Sequence, residues 1–252
     1  IKKRNLSHSK IIAITGSIGK TSLKNILKDL LSNYGETLSS PKSYNNHFGV
    51  PLSLSQLDTK QKYGVFEVGM SKAGEINSLS KIIKPHIGII TNIGEAHIEN
   101  FNNQKGIANA KGEIIKNIVK KGMLILNRDD KYFSHLAAKA HNNDLKIISF
   151  GLSKKSDVYP ISISKGKKVN LIKIKLFDQV ISLQVKNMNI YNVLASLILL
   201  KKLNLNLEKT LKYYKNYEPT EGRGKIHSIK RYKKTFKLID ESYNANPLSV
   251  KN

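Results

Sequence analysis

The chain has 252 residues, of which 40% are hydrophobic, and its 43 lysine and arginine residues against 18 aspartate and glutamate residues give a formal net charge of +25. This apolar content is enough for one large globular domain or two modest ones, and the lack of cysteine excludes a disulfide scaffold and thiol-based metal or nucleophile sites. The longest apolar run, at 193–200, is shorter than the roughly 20 residues that span a bilayer, so we expect a cytoplasmic protein with no membrane partner.

The excess of basic residues consists almost entirely of lysine. A basic surface attracts nucleic acids, so a nucleic-acid partner has to be considered. However, proteins that read bases and phosphates rely on the planar guanidinium of arginine, whereas the lysines here are spread along the chain. Arginine occurs only as Arg4, Arg128, Arg223 and Arg231. We therefore interpret the charge as compositional drift and expect no nucleic-acid partner.

A basic stretch at 1–10 leads directly into a series of short apolar runs that alternate with amphipathic stretches. This alternation is typical of a parallel sheet covered by helices on both faces. The run KIIAIT at 10–15 predicts a strand, and the leucines and isoleucines that follow at 23, 26, 27, 30 and 31 predict an amphipathic helix ended by Gly35. Further strands are predicted at 63–69, 86–94, 122–127 and 145–151, and further helices at 49–57, 73–83, 104–119 and 130–141.

The pattern changes at 157–185, where β-prone segments alternate with short polar turns. This arrangement predicts antiparallel hairpins. Helices at 189–203 and 207–217 and strands at 225–230 and 235–240 are predicted after it. The predicted fold class is therefore α/β, with a mostly parallel sheet flanked by helices and a small antiparallel β excursion at about 157–185.

The sharpest motif is TGSIGKTS at 15–22, between the first predicted strand and the first predicted helix. Its glycines let backbone N–H groups approach phosphate oxygens, and the N-terminus of the helix adds positive potential. Lys20 can reach the β and γ phosphates of a nucleotide, and the Thr21 hydroxyl can bind Mg²⁺. The motif is a shortened P-loop, G-x-x-G-K-T, because the usual first glycine would fall at Ile14. We expect the nucleotide to contact Gly16, Ser17, Gly19, Lys20, Thr21 and Ser22.

Two further side chains are expected near the nucleotide, because open α/β sheets hold ligands at the carboxyl ends of their strands. Glu67 ends the predicted strand GVFEVG, and His97 follows the next strand in NIGEAH. A glutamate inside an apolar strand is costly without a partner, so Glu67 is either a metal ligand or a buried, paired carboxylate. His97 could be a metal ligand or an ordinary surface residue.

The segment LILNRDD at 124–130 resembles the strand-N-[KR]-x-D sequence with which GTPases read guanine. The sequence lacks the D-x-x-G that GTPases carry after the metal-binding strand and has only EVGM there. Asn127 and Asp130 could equally cap the next helix.

Nine segments along the chain match one family in order: TGSIGKTS, NNHFGVPLSL, FEVGMSKAGEI, TNIGEAHIENF, NAKGEI, LNRDD, NIYNVLAS, GRGK and DESYNANP. Together they resemble the Mur ligases, the ATP-dependent amide-forming enzymes of peptidoglycan synthesis, over residues 11–247. Within the family, the segments look closest to the branch that adds D-alanyl-D-alanine to UDP-N-acetylmuramoyl-tripeptide.

The resemblance implies a three-domain enzyme, of which this chain supplies chiefly the middle part. Residues 1–10 would end the N-terminal domain or form a linker, 11–245 would be the central ATP-binding domain, and 246–252 would begin a truncated C-terminal domain. Such a piece would be inactive by itself, and we expect a monomer.

The implied reaction begins with phosphorylation of the tripeptide's terminal carboxylate by ATP, which gives an acyl phosphate. The amine of D-alanyl-D-alanine then attacks and phosphate leaves. Two anions have to meet in this reaction, so cations must neutralise the developing charge. The resemblance implies that Lys20 and two Mg²⁺ ions do so.

The resemblance also assigns roles to individual residues. Thr21 would bind the first Mg²⁺, and Glu67 and His97 the second, helped by Lys111 once CO₂ has carbamylated it. Lys20, His97 and Lys111 would be the catalytic residues. The remaining ATP contacts would come from Asn46 near the phosphates, Asn192 at adenine, and Arg223 and Asp240 at phosphate and ribose. The Gly-x-His that precedes the adenine-binding asparagine in the family is replaced here by Lys186-Asn187-Met188.

Two alternatives remain open from the sequence. One is a related ligase, either another muramyl ligase or a folylpolyglutamate synthetase, because the substrate-binding domains would carry the deciding features. The other is a basic P-loop module that binds nucleotides or nucleic acid without catalysing ligation.

Overall fold

The computed structural model describes residues 2–243. The expected start of a C-terminal domain at 246–252 lies outside the described residues, as do residues 244–247 of the DESYNANP segment. The helices are α1 (Lys2–Leu6), α2 (Lys20–Ser32), α3 (Gly49–Ser55), α4 (Glu75–Ile83), α5 (Gln104–Lys111), α6 (Phe133–His141), α7 (Ile190–Lys202) and α8 (Leu211–Asn216). Short 3₁₀ segments lie at Ile98–Asn100, Gly112–Asn117 and Leu207–Thr210.

The strands form one large sheet and one hairpin. The large sheet contains β1 (Lys10–Thr15), β2 (Thr37–Ser39), β3 (Tyr63–Glu67), β4 (Ile87–Ile90), β5 (Met123–Asn127), β6 (Lys146–Phe150), β7 (Val158–Ser164), β8 (Asn170–Leu176) and β9 (Gln179–Val185). The separate antiparallel hairpin is formed by β10 (Lys225–Arg231) and β11 (Lys234–Asp240).

The large sheet is parallel through most of its width. Its strands lie in the order β2-β3-β1-β4-β5-β6-β7-β8-β9, and β1 to β6 pair in parallel. β7 joins β6 in parallel through the pair Phe150 and Val158, whereas β7, β8 and β9 pair antiparallel. These features confirm the predicted fold class and the antiparallel excursion. The chain order changes direction at β1, so a crevice opens at the carboxyl ends of the central strands.

Helices cover both faces of the parallel strands. On β1, Ile12 and Ile14 face a core with α2 and α7, while Ile11 and Ala13 face a second core with α3, α4, α5 and α6. Strands buried on both faces read as continuous apolar runs, which is why KIIAIT was recognisable. The apolar positions predicted for α2, at 23, 26, 27, 30 and 31, are all buried.

Some local expectations were wrong. Residues 2–6 form a helix instead of leading directly into β1, and the buried Arg4 side chain donates to the carbonyls of Ile83 (2.6 Å) and Lys84 (2.7 Å). The predicted helix 104–119 is α-helical only to Lys111, because Gly112 is a poor helix former and the chain tightens there into a 3₁₀ segment. The short strand β2 was not predicted. None of the helices in residues 2–243 is long and apolar enough to cross a membrane.

Candidate active site

An open cleft of about 1400 Å³ lies at the carboxyl ends of the central strands. Most of the residues that the sequence predicted for the site line it: Ser17, Gly19, Lys20, Thr21, Ser22, Asn46, Glu67, His97, Lys111, Asn192 and Arg223. Gly16 and Asp240 are not among the lining residues. The structure therefore brings together groups that are up to two hundred residues apart in the chain.

The loop between β1 and α2 is held against the end of β4. Gly16 has a φ of +143°, and a Cβ placed on it would lie 1.9 Å from Oγ1 of Thr91. That hydroxyl donates to the carbonyl of Ile18 (2.6 Å), and Oδ1 of Asn92 accepts from the Ile18 N–H (2.9 Å). Gly19, with φ +81°, packs against the side chain of Asn192. Only a residue without a side chain fits at Gly16.

The N-terminus of α2 opens into the cleft. Gly19 precedes the helix and supplies no side-chain hydrogen bond to it, so the first N–H groups of the helix are available to an anion. Ser17, which was expected to contact the nucleotide, uses its hydroxyl inside the loop: it accepts from the N–H of Gly94 (2.7 Å) and donates to its carbonyl (3.1 Å). Its side chain thus fixes the loop to the segment after β4.

Glu67 is buried at the end of β3 beside the P-loop, with 1% of its surface exposed. Its Oε2 accepts from the Thr21 hydroxyl (2.6 Å), and its Oε1 accepts from Nδ2 of Asn45 (2.7 Å). A hydroxyl and a carboxylate in contact are oxygen ligands of the kind that Mg²⁺ prefers, so this pair suits the ion beside nucleotide phosphates. Both readings of Glu67 from the sequence are compatible with this arrangement.

The contact with Glu67 comes from Asn45, which sequence reasoning missed in favour of its neighbour Asn46. Asn46 lines the cleft, but its Oδ1 accepts from the N–H groups of Phe48 (3.2 Å) and Gly49 (2.9 Å). It therefore holds the start of α3. Two adjacent asparagines in a loop look alike in the sequence, and the assignment depended on which side chain the loop turns inward.

Two lysines approach the P-loop from different elements. Nζ of Lys20 donates to the carbonyl of Ser17 (3.2 Å), and Nζ of Lys111, at the end of α5, donates to the carbonyl of Gly16 (3.1 Å). Lys111 is 2% exposed. Burial and, to a lesser extent, the nearby Lys20 charge hold the pKa of Lys111 well below its usual value. Burial also lowers the pKa of Lys20, while Glu67 opposes this shift.

His97 lies at the edge of the cleft with a left-handed backbone, φ +64°, and a side chain that is 46% exposed. Its Nδ1 is 3.8 Å from Oε1 of Glu99. Within residues 2–243 no three histidine or acidic side chains are grouped so that they could hold a metal. The metal site with Glu67 and His97 therefore stays a prediction that also requires a modified Lys111, and Thr21 stays the predicted ligand of a separate Mg²⁺.

The remaining predicted contacts lie on the far side of the cleft. The Arg223 guanidinium lies 4.0 Å from the ring centroid of Tyr243, and its Nη2 donates to the hydroxyl of Ser43 (3.2 Å). Asp240 accepts from the N–H of Gly222 (2.7 Å) and the hydroxyl of Ser242 (2.6 Å), and these hydrogen bonds lower its pKa. Asp240 thus shapes the turn that carries Arg223, and its contact with the nucleotide stays a prediction.

The LNRDD segment ties two strand ends together. Both carboxylate oxygens of Asp130 accept backbone N–H groups, from Ile93 (2.6 Å) and Tyr132 (2.8 Å). Asn127 donates to the carbonyl of Thr91 (3.2 Å) and accepts from the N–H of Asp129 (3.0 Å). These contacts support the structural interpretation of the segment, because both carboxylate oxygens of Asp130 already accept backbone N–H groups.

Comparison with known proteins gives one consistent family. The description "Mur ligase middle domain" matches residues 14–200. The UDP-N-acetylmuramoyl-tripeptide--D-alanyl-D-alanine ligase of Rickettsia prowazekii is 36% identical over 99% of this chain and 56% of that protein. The enzyme of the same name from Buchnera aphidicola subsp. Baizongia pistaciae is 33% identical over 98% of this chain and 53% of that protein. The chain thus spans about half the length of the curated relatives it matches.

Solved structures agree with these relatives. MurF from Acinetobacter baumannii superposes with a TM-score of 0.89 and 31% identity over 99% of this chain and 54% of that one. MurF ligase from Thermotoga maritima in complex with ADP superposes with a TM-score of 0.87 and 25% identity over 99% of this chain and 57% of that one. By its cleft, its P-loop and these matches, the chain belongs to the Mur ligase family.

Proposed function

We propose that this chain is the ATP-binding part of a ligase that adds D-alanyl-D-alanine to UDP-N-acetylmuramoyl-tripeptide. The observation that carries the proposal is the contact between the Thr21 hydroxyl and the buried Glu67 carboxylate (2.6 Å) directly beside the P-loop. Relatives with this printed activity align over nearly the whole chain, and one structural neighbour holds ADP. ATP therefore fits the cleft better than a nucleic acid does.

The chain's own residues supply the positive potential that the reaction needs. The free N–H groups at the start of α2 and the Lys20 ammonium face the phosphates, and Arg223 reaches the same space from the opposite side. When the tripeptide carboxylate attacks the γ phosphorus, these groups stabilise the charge on the transferring phosphoryl group. ADP leaves, the dipeptide amine attacks the acyl phosphate, and inorganic phosphate departs.

Thr21 and Glu67 would hold one Mg²⁺, and Glu67, His97 and a carbamylated Lys111 a second. Mg²⁺ held by these residues would supply positive charge that neutralises the nucleotide phosphates. Lys111 suits carbamylation because a buried amine with a lowered pKa is more often neutral. The ammonium would first lose one proton, and the neutral nitrogen would then form a bond to CO₂ and release a second proton, so that the cation becomes a carbamate anion.

The coverage of the relatives supports a longer protein. We propose that residues 1–10 connect to an N-terminal domain, that 11–245 form the central domain, and that a C-terminal domain begins at about 246. We further propose that the protein is a cytoplasmic monomer. Contacts with the uridine nucleotide and the dipeptide would come largely from the other two domains.

The test is a ligation assay with the full-length protein. We expect ADP release only when UDP-N-acetylmuramoyl-tripeptide, D-alanyl-D-alanine, ATP and Mg²⁺ are all present, together with a product whose mass equals the sum of both substrates less one water. Lys20→Ala is expected to abolish both signals. Ligation of a different amine in place of the dipeptide would favour another muramyl ligase, and salt-sensitive DNA binding without ATP binding would favour the basic P-loop module.

A further inference from the structure

A second lysine on α2 is buried, and no carboxylate in the part of the chain that the structure describes forms an ion pair with it. Lys24 lies one helical turn after Lys20 and is 1% exposed. Its Nζ donates to the carbonyl of Ser40 (2.7 Å) and, through a short contact, to the carbonyl of Lys42. The ion pairs found in residues 2–243 do not include it. A buried ammonium is costly unless hydrogen bonds satisfy it, so this lysine requires an explanation beyond packing.

The two carbonyls that Lys24 binds belong to the loop between β2 and α3, residues 40–48. Lys42 has a left-handed backbone, φ +43°, which is unfavourable for a residue with a side chain. The Lys24 ammonium binds the carbonyl of this strained residue. It therefore stabilises a loop conformation that the loop's own sequence does not favour.

The same loop carries the polar groups that meet the candidate metal ligands. Asn45 donates to Oε1 of Glu67 (2.7 Å), and the Ser43 hydroxyl lies 3.2 Å from the Thr21 hydroxyl. Ser43 also accepts from Arg223 (3.2 Å). Both side chains follow closely on the carbonyls that Lys24 fixes, so a displacement of the loop would move them away from Glu67 and Thr21.

We propose that Lys24 is a positioning residue whose buried ammonium fixes the 40–48 loop, so that Asn45 and Ser43 orient Glu67 and Thr21. The structural part of this inference concerns only the loop and its contacts. The consequence for Mg²⁺ and nucleotide rests on the proposed function. Lys24 itself touches neither the phosphates nor the metal in this account.

The test compares Lys24→Met with Lys28→Met in the full-length protein. Methionine matches the length of the lysine stem but cannot donate a hydrogen bond, and Lys28 is an exposed residue one turn further along the same helix. The first readout is amide hydrogen exchange of residues 40–47 without ligand. The second is the Mg²⁺ concentration that gives half-maximal ADP binding, and the third is Tm.

For Lys24→Met we expect exchange in residues 40–47 to accelerate by about tenfold or more, and the half-saturating Mg²⁺ concentration to rise by a similar factor, as expected when a charged hydrogen bond is lost. Lys28→Met should match wild type in both. Lys24→Arg keeps the positive charge and the ability to donate to both carbonyls, and it should stay within about threefold of wild type in Mg²⁺ dependence. A merely structural role would lower Tm without a selective change in the loop.

A double variant tests whether Lys24 acts through Asn45. Asn45→Ala by itself should weaken Mg²⁺-dependent binding, and adding Lys24→Met should weaken it by no more than about twofold further, because coupled residues are not additive. Fully additive losses would overturn the proposal, as would a Lys24→Met protein whose loop exchange matches that of Lys28→Met.

If Lys24→Met does not fold, Lys24→Gln, with a shorter donor, takes its place under the same criteria. A wild-type protein that bound no ADP would refute the proposed function, whereas loop exchange would still decide the role of Lys24.

Discussion

Replacement of Gly16 by alanine tests whether the P-loop is fixed against β4 as the structure shows. The added Cβ would lie 1.9 Å from Oγ1 and 3.1 Å from Cβ of Thr91, far inside van der Waals contact. Alanine at position 16 would also have to adopt a φ of +143°, which L-residues rarely occupy. Relief of the clash requires Thr91 to move and to lose its hydrogen bond to the Ile18 carbonyl.

The cost follows from these contributions. Backbone strain costs about 1–3 kcal/mol, overpacking a similar amount, and the lost buried hydrogen bond about 1 kcal/mol. We therefore expect Gly16→Ala to lower the free energy of unfolding by roughly 3–7 kcal/mol. Gly74→Ala is the matched control: Gly74 has a φ of +88°, but a Cβ there would meet no atom within 4 Å, so only the backbone cost of about 1–2 kcal/mol remains.

Denaturant unfolding of the full-length protein measures both costs, and nucleotide binding is followed in parallel. Thr91→Ala removes the oxygen that lies closest to the new Cβ. The loss in free energy of unfolding of the double variant should therefore be about 1–2 kcal/mol smaller than the sum of the losses of the two single variants. A Gly16→Ala protein as stable as Gly74→Ala would refute the reasoning. Strict additivity with Thr91→Ala would also refute it.

Three further predictions concern titrating or charged groups. Burial lowers the pKa of His86 to about 4, and its Nδ1 accepts from the Ile11 N–H (2.9 Å). As the pH falls, the histidine of the unfolded chain takes up a proton before that of the folded chain. The free energy of unfolding should therefore fall between about pH 6.5 and pH 4, by at most about 3 kcal/mol. His86→Asn should flatten this pH dependence of denaturant unfolding, and an unchanged slope would count against it. Lys111→Met should raise Tm of the ligand-free protein by roughly 2–4 °C for each kcal/mol gained by replacing a buried amine with an apolar side chain, and bicarbonate should raise Tm of wild type but not of the variant. An equal bicarbonate response in both proteins would argue against carbamylation. Glu67→Gln should raise the Mg²⁺ concentration needed for ADP binding by about tenfold or more. The amide lacks the negative charge, and its NH₂ group would face one of the two groups that now donate to Glu67, either Asn45 or the Thr21 hydroxyl. A calorimetric titration checks this, and an unaltered Mg²⁺ requirement would exclude Glu67 as a ligand.

Local motifs made much of the site predictable. Lys20 and Thr21 follow from a contiguous loop between a strand and a helix, and Glu67 stood out as a carboxylate in an apolar run. The hydrogen bond of Asp240 to a turn eighteen residues earlier in the chain was not predictable. Such a contact between distant residues has no periodic signal.

The position of Lys24 in the sequence indicates that it is buried, but the high lysine content of the chain makes this indication easy to overlook. It lies four residues after Lys20 and three before Leu27, and therefore on the face of α2 that packs inward. In a chain with so many lysines, another one on a helix is easily taken for a surface charge. A lysine at an apolar position of an amphipathic helix should instead be examined for carbonyl partners.

The central claim is that the cleft binds ATP with Mg²⁺ through the P-loop. Calorimetric titration of ATP into the full-length protein, with and without Mg²⁺, tests it most directly. We expect one bound nucleotide that depends on Mg²⁺, and a loss of affinity of about tenfold to a hundredfold in Lys20→Ala, which loses a charged hydrogen bond to phosphate. Binding that is absent from wild type, independent of Mg²⁺, or equal in Lys20→Ala would contradict the claim.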